Sequence, residues 1–163
     1  MNESNRRKFV KQSVTAMGGA AMIGFPHVMR GQPGANDRVR VGLVGLGGRM
    51  RSHIGSLAAI RFTDNVEIAA ICDCDQSKVD AAAKTYPELA GLKLKTYTDQ
   101  RKLFDDKSID AISFSTQDHW HALQTIWACQ AGKDVFIEKP PTWCIWEGRK
   151  MVEAARKYNR MVQ

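Results

Sequence analysis

Residues 40–50, RVGLVGLGGRM, constrain this chain more than any other stretch of its 163 residues. Val39, Val41, Leu43 and Val44 make an apolar run of the kind a buried strand needs. Gly45 and Gly47 follow two residues apart, and Met50, Ile54, Leu57 and Ala58 then recur at helical spacing. A strand that turns into a helix so abruptly leaves backbone N–H groups unpaired at the helix start. Such a turn is a preformed seat for a diphosphate, so a dinucleotide is the expected ligand. Gly45, Gly47 and Gly48 are the expected contacts, with Arg49 and Arg51 either neutralising the diphosphate or facing solvent. Position 50, where the pattern's third glycine would stand, is methionine. That glycine serves packing of helix on strand, so Met50 predicts a wider first crossover more than a lost ligand site.

A second apolar run, Val66–Cys72, delivers Asp73 at its carboxyl end, 23 residues beyond Met50. A carboxylate at about this distance accepts hydrogen bonds from the adenosine ribose. Its charge would repel a 2'-phosphate, so NAD is favoured over NADP. Capping of the next helix is the competing role, and Asp75 suits it better.

Beyond Cys72 the element types keep alternating. Val79, Ala82, Ala83 and Tyr86 form a helical face closed by Pro87; residues 92–97 read as a weak strand and 99–104 as a short helix. Residues 109–115 read as a strong strand, and Asp118 is the expected N-cap of a helix carrying Leu123, Ile126 and Trp127 on one face, with Gly132 past its last turn. Residues 135–137 are the next strand, and Ile145, Val152 and Ala155 mark a last helix. Strands separated by helices of this length imply right-handed crossovers. The expected class is therefore α/β, a Rossmann-type doubly wound parallel sheet with helices on both faces. Residues 160–163 resemble the opening of one more strand, truncated where the sequence stops.

The amino terminus divides from this domain at about residue 35. Arg6 and Arg7 precede a short, glycine-containing apolar stretch over residues 14–26, the pattern of a twin-arginine export signal. Residues 1–35 are read as that signal and a linker, which makes the protein periplasmic or otherwise extracytoplasmic. The stretch is short for a membrane span; an uncleaved anchor and a basic disordered leader are the competing readings. Because this route carries folded proteins, it suits one that leaves the cytoplasm with its nucleotide aboard. Residues 1–35 carry +4 of the chain's net +7, leaving +3 for residues 36–163. Those basic residues are spread over several helices, which argues against nucleic acid. Cys72, Cys74, Cys129 and Cys144 lack the two close pairs of a structural zinc site and are read as reduced packing residues. About 130 residues suffice for one core, not two.

Two loops fall at the carboxyl ends of strands, where a parallel sheet holds its ligands. The first is Ser115-Thr116-Gln117-Asp118-His119-Trp120-His121 and the second Glu138-Lys139-Pro140-Pro141. With the glycine turn, and in this order, they give the region from about Arg38 to Gln163 a resemblance to the Gfo/Idh/MocA family of nicotinamide-dependent oxidoreductases. The resemblance implies an NAD-dependent hydride transfer at a hydroxyl or carbonyl of a sugar-type small molecule. It places Lys139 near the nicotinamide and the reacting carbon, where a partly desolvated ammonium would have a lowered pKa and exchange a proton with substrate. Glu138 would orient that lysine or hold the nicotinamide side, and Ser115 and Thr116 would contact the nicotinamide half. Gln117 stands where the family usually has proline, which predicts a looser loop. His119 and His121 are expected to shape the helix start rather than to act as acid or base. Similar proteins continue into an α+β domain that completes the substrate pocket. Lacking it, this chain alone is expected to bind nucleotide weakly and turn over little. Two alternatives stay open: a non-catalytic nucleotide-binding module needing a separate substrate domain, and an NAD-dependent glycosidase, against which Glu138-Lys139-Pro140 argues. A homo-oligomer is compatible with any of these.

Overall fold

Five short strands alternate with five helices in the computed structural model, which describes residues 37–163. The export signal expected over residues 1–35 lies outside the described residues. The order is β1 (Val39–Val44), α1 (Met50–Ile60), β2 (Val66–Cys72), α2 (Gln76–Thr85), a 3-10 turn (Pro87–Leu89), β3 (Lys95–Tyr97), α3 (Gln100–Asp105), β4 (Ala111–Phe114), α4 (Asp118–Gln130), β5 (Asp134–Ile137) and α5 (Ile145–Lys157). Every strand pairing is parallel, and the spatial order is β3-β2-β1-β4-β5. Val162 adds an isolated parallel bridge to Val135 on the open side of β5, with the Val135 N–H on the Met161 carbonyl at 2.8 Å. This is the doubly wound order, with its switch point between β1 and β4.

Period-two alternation along the strands feeds two cores. Val41 and Leu43 join Met50, Ile54, Val79, Ala82 and Tyr86 beneath α1 and α2. Val44, Ile112 and Phe114 join Leu103, Ala128, Cys129 and Met151 beneath α3, α4 and α5. Each large side chain so buried contributes about 1.5–3 kcal/mol. Met50 is fully buried, an apolar body between α1 and the sheet where a glycine would give the two elements their closest approach.

The local signals hold at Asp75, whose carboxylate accepts the Ser77 N–H as a helix cap; Asp99, read as the first residue of a helix, stands one position before it and caps it through the Arg101 N–H. They hold at Gly132 too: its φ of +79° lets the Lys133 N–H reach the Ala128 carbonyl and close α4 with a Schellman turn. Asp118 differs. It is the first residue of α4, the cap position belongs to Gln117, and no side chain caps the helix; a carboxylate in the first turn still favours the helix dipole. The strand expected over residues 92–97 shrinks to three residues, because Leu92 and Leu94 turn into the core beneath α1 and α2 instead of pairing. Residues 109–115 shrink to Ala111–Phe114, since the Ile109 N–H closes a turn on Asp106. Among the cysteines only Cys72 and Cys129 pack in the interior; Cys74 and Cys144 are exposed. Burial and the nearby Asp73 and Asp99 charges push the Cys72 thiol up to about 12, so it stays protonated.

Candidate functional site

The glycine turn is built by contacts from three directions. Gly45 has φ +88°, and a Cβ there would lie 2.6 Å from the Ser115 carbonyl oxygen, so only glycine lets β1 and the loop after β4 touch. At Gly47 and Gly48 a Cβ would meet nothing within 4 Å: their faces are open. From the opposite side the buried Tyr86 hydroxyl reaches the carbonyls of Leu46 at 2.9 Å and Gly47 at 2.8 Å. Peptide N–H groups oppose their carbonyls, so holding the carbonyls inward turns the amides outward. The N–H groups of Gly47, Gly48 and Arg49 have no hydrogen-bond partner among the described residues.

A crevice of about 630 Å³ opens beside this turn, lined by Gly45, Gly47, Asp73, Lys78, Thr116 and Trp120 among others. Asp73 is almost fully buried at its edge. Its Oδ2 accepts the Leu46 N–H at 2.8 Å and its Oδ1 the Asp75 N–H at 3.0 Å, so the carboxylate braces the glycine turn as well as facing the crevice. The Lys78 ammonium lies 3.8 Å from Oδ2.

A second hollow of about 320 Å³ shares Ser115, Thr116 and Gln117 with the first and adds Arg49, His121, Glu138, Lys139 and Pro140. The Thr116 hydroxyl is committed to Gln124 Oε1 at 2.6 Å, which leaves the backbone of this loop as its ligand-facing part. Glu138 Oε1 accepts from His53 Nε2 at 2.8 Å and from Arg49 Nε at 2.5 Å. These bonds, His53 first and then Arg49, hold the carboxyl down at about 2. Lys139 is exposed and its ammonium has no partner among the described residues. His121, buried, links the two loops through the Pro140 carbonyl at 2.8 Å and the Thr116 carbonyl at 3.2 Å.

Residues 39–163 match the family model described as the oxidoreductase family with an NAD-binding Rossmann fold. The chain belongs to the Gfo/Idh/MocA family. Its curated relatives include a protein named glycosyl hydrolase family 109 protein 1 from Shewanella sp. (strain ANA-3), 32% identical over 74% of this chain and 27% of that protein. An alpha-N-acetylgalactosaminidase of Shewanella oneidensis is 32% identical over 73% of this chain and 26% of its own length. Among solved structures, the WlbA dehydrogenase from Bordetella pertussis in complex with NADH and UDP-GlcNAcA superposes with a TM-score of 0.67 at 27% identity, over 77% of this chain and 36% of that one. The chain thus spans about a quarter to two-fifths of the length of its relatives.

Within this Gfo/Idh/MocA domain, Gly45, Gly47, Asp73, Ser115 and Thr116 come together on the larger crevice, and Arg49, Ser115, Thr116, Glu138 and Lys139 on the smaller. Gly48 is exposed on the same turn without lining either. Arg51 parts from Arg49: its guanidinium donates to the Thr85 carbonyl and lies over the Tyr86 ring. Glu138 meets Lys139 through the lysine's own N–H at 3.2 Å, not through its ammonium. His53 carries no sequence-based expectation, and Tyr86 only that of a place on a helical face. His53 adjoins Ile54 on the apolar stripe of α1, and a polar residue in such a stripe is the signal that marks a buried partner elsewhere.

Proposed function

We propose that this domain binds NAD and presents it for hydride transfer to or from a sugar or polyol carbon, together with a substrate domain outside these 163 residues. The observation that carries the reading is the row of unpaired N–H groups at Gly47, Gly48 and Arg49 beside the Asp73 carboxylate. A diphosphate needs such donors, and the ribose next to it needs such an acceptor. The empty space over Gly47 and Gly48 lets a ligand come within hydrogen-bonding distance of the backbone. When bound, NAD supplies the hydride acceptor, and the chemistry of that step is its own. Backbone groups at Ser115 and Thr116 hold the nicotinamide half. The free ammonium of Lys139 exchanges a proton with the substrate hydroxyl or polarises its carbonyl. Lys139 is exposed, so its desolvation comes from the substrate domain closing over the second hollow. Arg6 and Arg7 fit export with the nucleotide aboard; replacing both with lysine in a tagged chain then leaves the product in the cytoplasm.

In a protein carrying a family-type second domain, Lys139→Ala is expected to abolish NADH formation from polyol or sugar substrates while NADH binding persists. Unchanged turnover overturns the lysine's role. A second reading has the names of the Shewanella relatives behind it. There the same hydride step would be transient: a sugar hydroxyl carbon gives a hydride to NAD, the ketone formed allows loss of the adjacent proton and the glycosidic group, water adds across the resulting double bond, and the hydride returns to the ketone. Cleavage of an α-N-acetylgalactosaminide without net NADH would select it; NADH accumulating with substrate selects the dehydrogenase.

A further inference from the structure

We propose that His53, on α1, is a positioning residue for Lys139, acting through Glu138. The inference rests on Lys139 as the reacting ammonium. His53 is buried and touches three elements at once. Its Nδ1 meets the Ser113 hydroxyl on β4 at 2.7 Å, its Nε2 meets Glu138 Oε1 at 2.8 Å, and its ring stands edge-on to Phe136 on β5 with centroids 5.3 Å apart.

Donor counting fixes one nitrogen. An ionised carboxylate only accepts, so Nε2 carries the proton, and with the ring neutral Nδ1 then accepts from the Ser113 hydroxyl. The result is a buried chain, Ser113 O–H to His53 and His53 N–H to Glu138, in which each bond polarises the next. Arg49 reaches the same Oε1 from the exposed side. With Oε1 fixed from both directions, Oε2 is the oxygen left to accept the Lys139 N–H. The backbone at Lys139 is thereby set by α1, the helix that starts at the glycine turn, while the ammonium stays free. His121 restrains the other end of the loop at the Pro140 carbonyl. The E-K-P segment is therefore registered to the glycine turn through His53, which touches no ligand itself.

The test uses the 163-residue chain and two substitutions. His53→Leu keeps bulk and loses both hydrogen bonds; His53→Gln keeps an N–H donor for Glu138 and an acceptor for Ser113. Amide hydrogen exchange at Lys139 is expected to quicken about tenfold or more in His53→Leu and to return towards the parent rate in His53→Gln. Nitrogen NMR of the parent should show His53 protonated at Nε2 and not at Nδ1. Glu138→Gln supplies a variant altered at the surface end, in which adding His53→Leu should change Lys139 exchange less than it does in the parent. An unchanged Lys139 exchange rate in His53→Leu, or a proton on Nδ1 alone, overturns the proposal. These readouts need no nucleotide. NADH titration of the same parent chain reports separately on the cofactor reading, and failure there leaves the exchange result to stand or fall alone.

Discussion

The Tyr86 hydroxyl sits 2.8 Å from the carbonyl oxygen of Gly47, a contact that joins the last residue before the 3-10 turn to the middle of the glycine turn. The same hydroxyl lies 2.9 Å from the Leu46 carbonyl, and the ring is covered by the Arg51 guanidinium. One proton shared between two carbonyls is a modest bond, yet it fixes which way two peptide planes face. Tyr86→Phe should cost about 1 kcal/mol of stability and a roughly fivefold loss of NADH affinity. A thermal melt and a nicotinamide fluorescence titration measure the two. Unaltered affinity would mean that the turn holds its amides outward without the hydroxyl.

Asp73 combines two duties. Its carboxylate braces Leu46 and Asp75 through their N–H groups, and its charge opposes a 2'-phosphate. Asp73→Asn removes the charge, keeps one of the two oxygen acceptors and turns its NH2 towards the other N–H group, and it releases Lys78 from an opposing carboxylate 3.8 Å away. Discrimination between NADH and NADPH is expected to fall by about tenfold, roughly 1.4 kcal/mol, with a lower melting temperature from the half-lost brace. Asp73→Ala should lose both brace bonds. Parallel titrations that give the same NADH to NADPH ratio for parent and Asp73→Asn would remove the charge argument.

How much of this could be read in the chain depends on how far apart the partners lie. Asp75 and Gly132 act on neighbours within a few residues, so composition and spacing reveal them. β2 is legible to the residue because its apolar run and its pairing end together at Cys72. β3 is not, since its three residues are set by where β2 offers partners. Within the site, Gly45, Asp73, Thr116 and Lys139 are legible because a parallel sheet puts the carboxyl ends of its strands together whatever the loops contain. Tyr86, His53 and His121 work across 39, 85 and 19 residues respectively, and no local period encodes which carbonyl or carboxylate each will meet.

Glu138 gives the fold a distinct response to acid. Its carboxyl drops from an ordinary value near 4.5 to about 2 because His53 and Arg49 favour the charged form. A depressed folded value means that the stabilisation is complete above about 4.5 and fades as pH falls towards 2. Glu138→Gln should therefore melt below the parent at neutral pH, and the gap should narrow through that window. The variant keeps an acid-sensitive slope of its own, because Asp106, held well below the usual carboxylate range chiefly by Lys95, titrates in both proteins. Thermal midpoints at a series of pH values check this; a gap independent of pH would mean that Glu138 stabilises by shape and not by charge.

Gly45 and Gly47 look equivalent in the sequence and are opposite in the fold. Alanine at Gly45 would combine a left-handed backbone angle with a Cβ 2.6 Å from the Ser115 oxygen and 2.9 Å from the Thr116 methyl. Backbone on one side and a packed side chain on the other cannot both yield, so Gly45→Ala should destabilise the domain by about 2 kcal/mol or more. Gly47 has neither an unusual angle nor a neighbour within 4 Å, and Gly47→Ala should leave stability within about 0.5 kcal/mol. Its added methyl projects into the space over the turn, where a diphosphate approaching the free N–H groups would lie, so NADH affinity should fall about tenfold or more. The pair thus separates fold from ligand: one variant melts early, the other melts normally and binds poorly. A Gly47→Ala protein that binds NADH as tightly as the parent would place the nucleotide away from this turn.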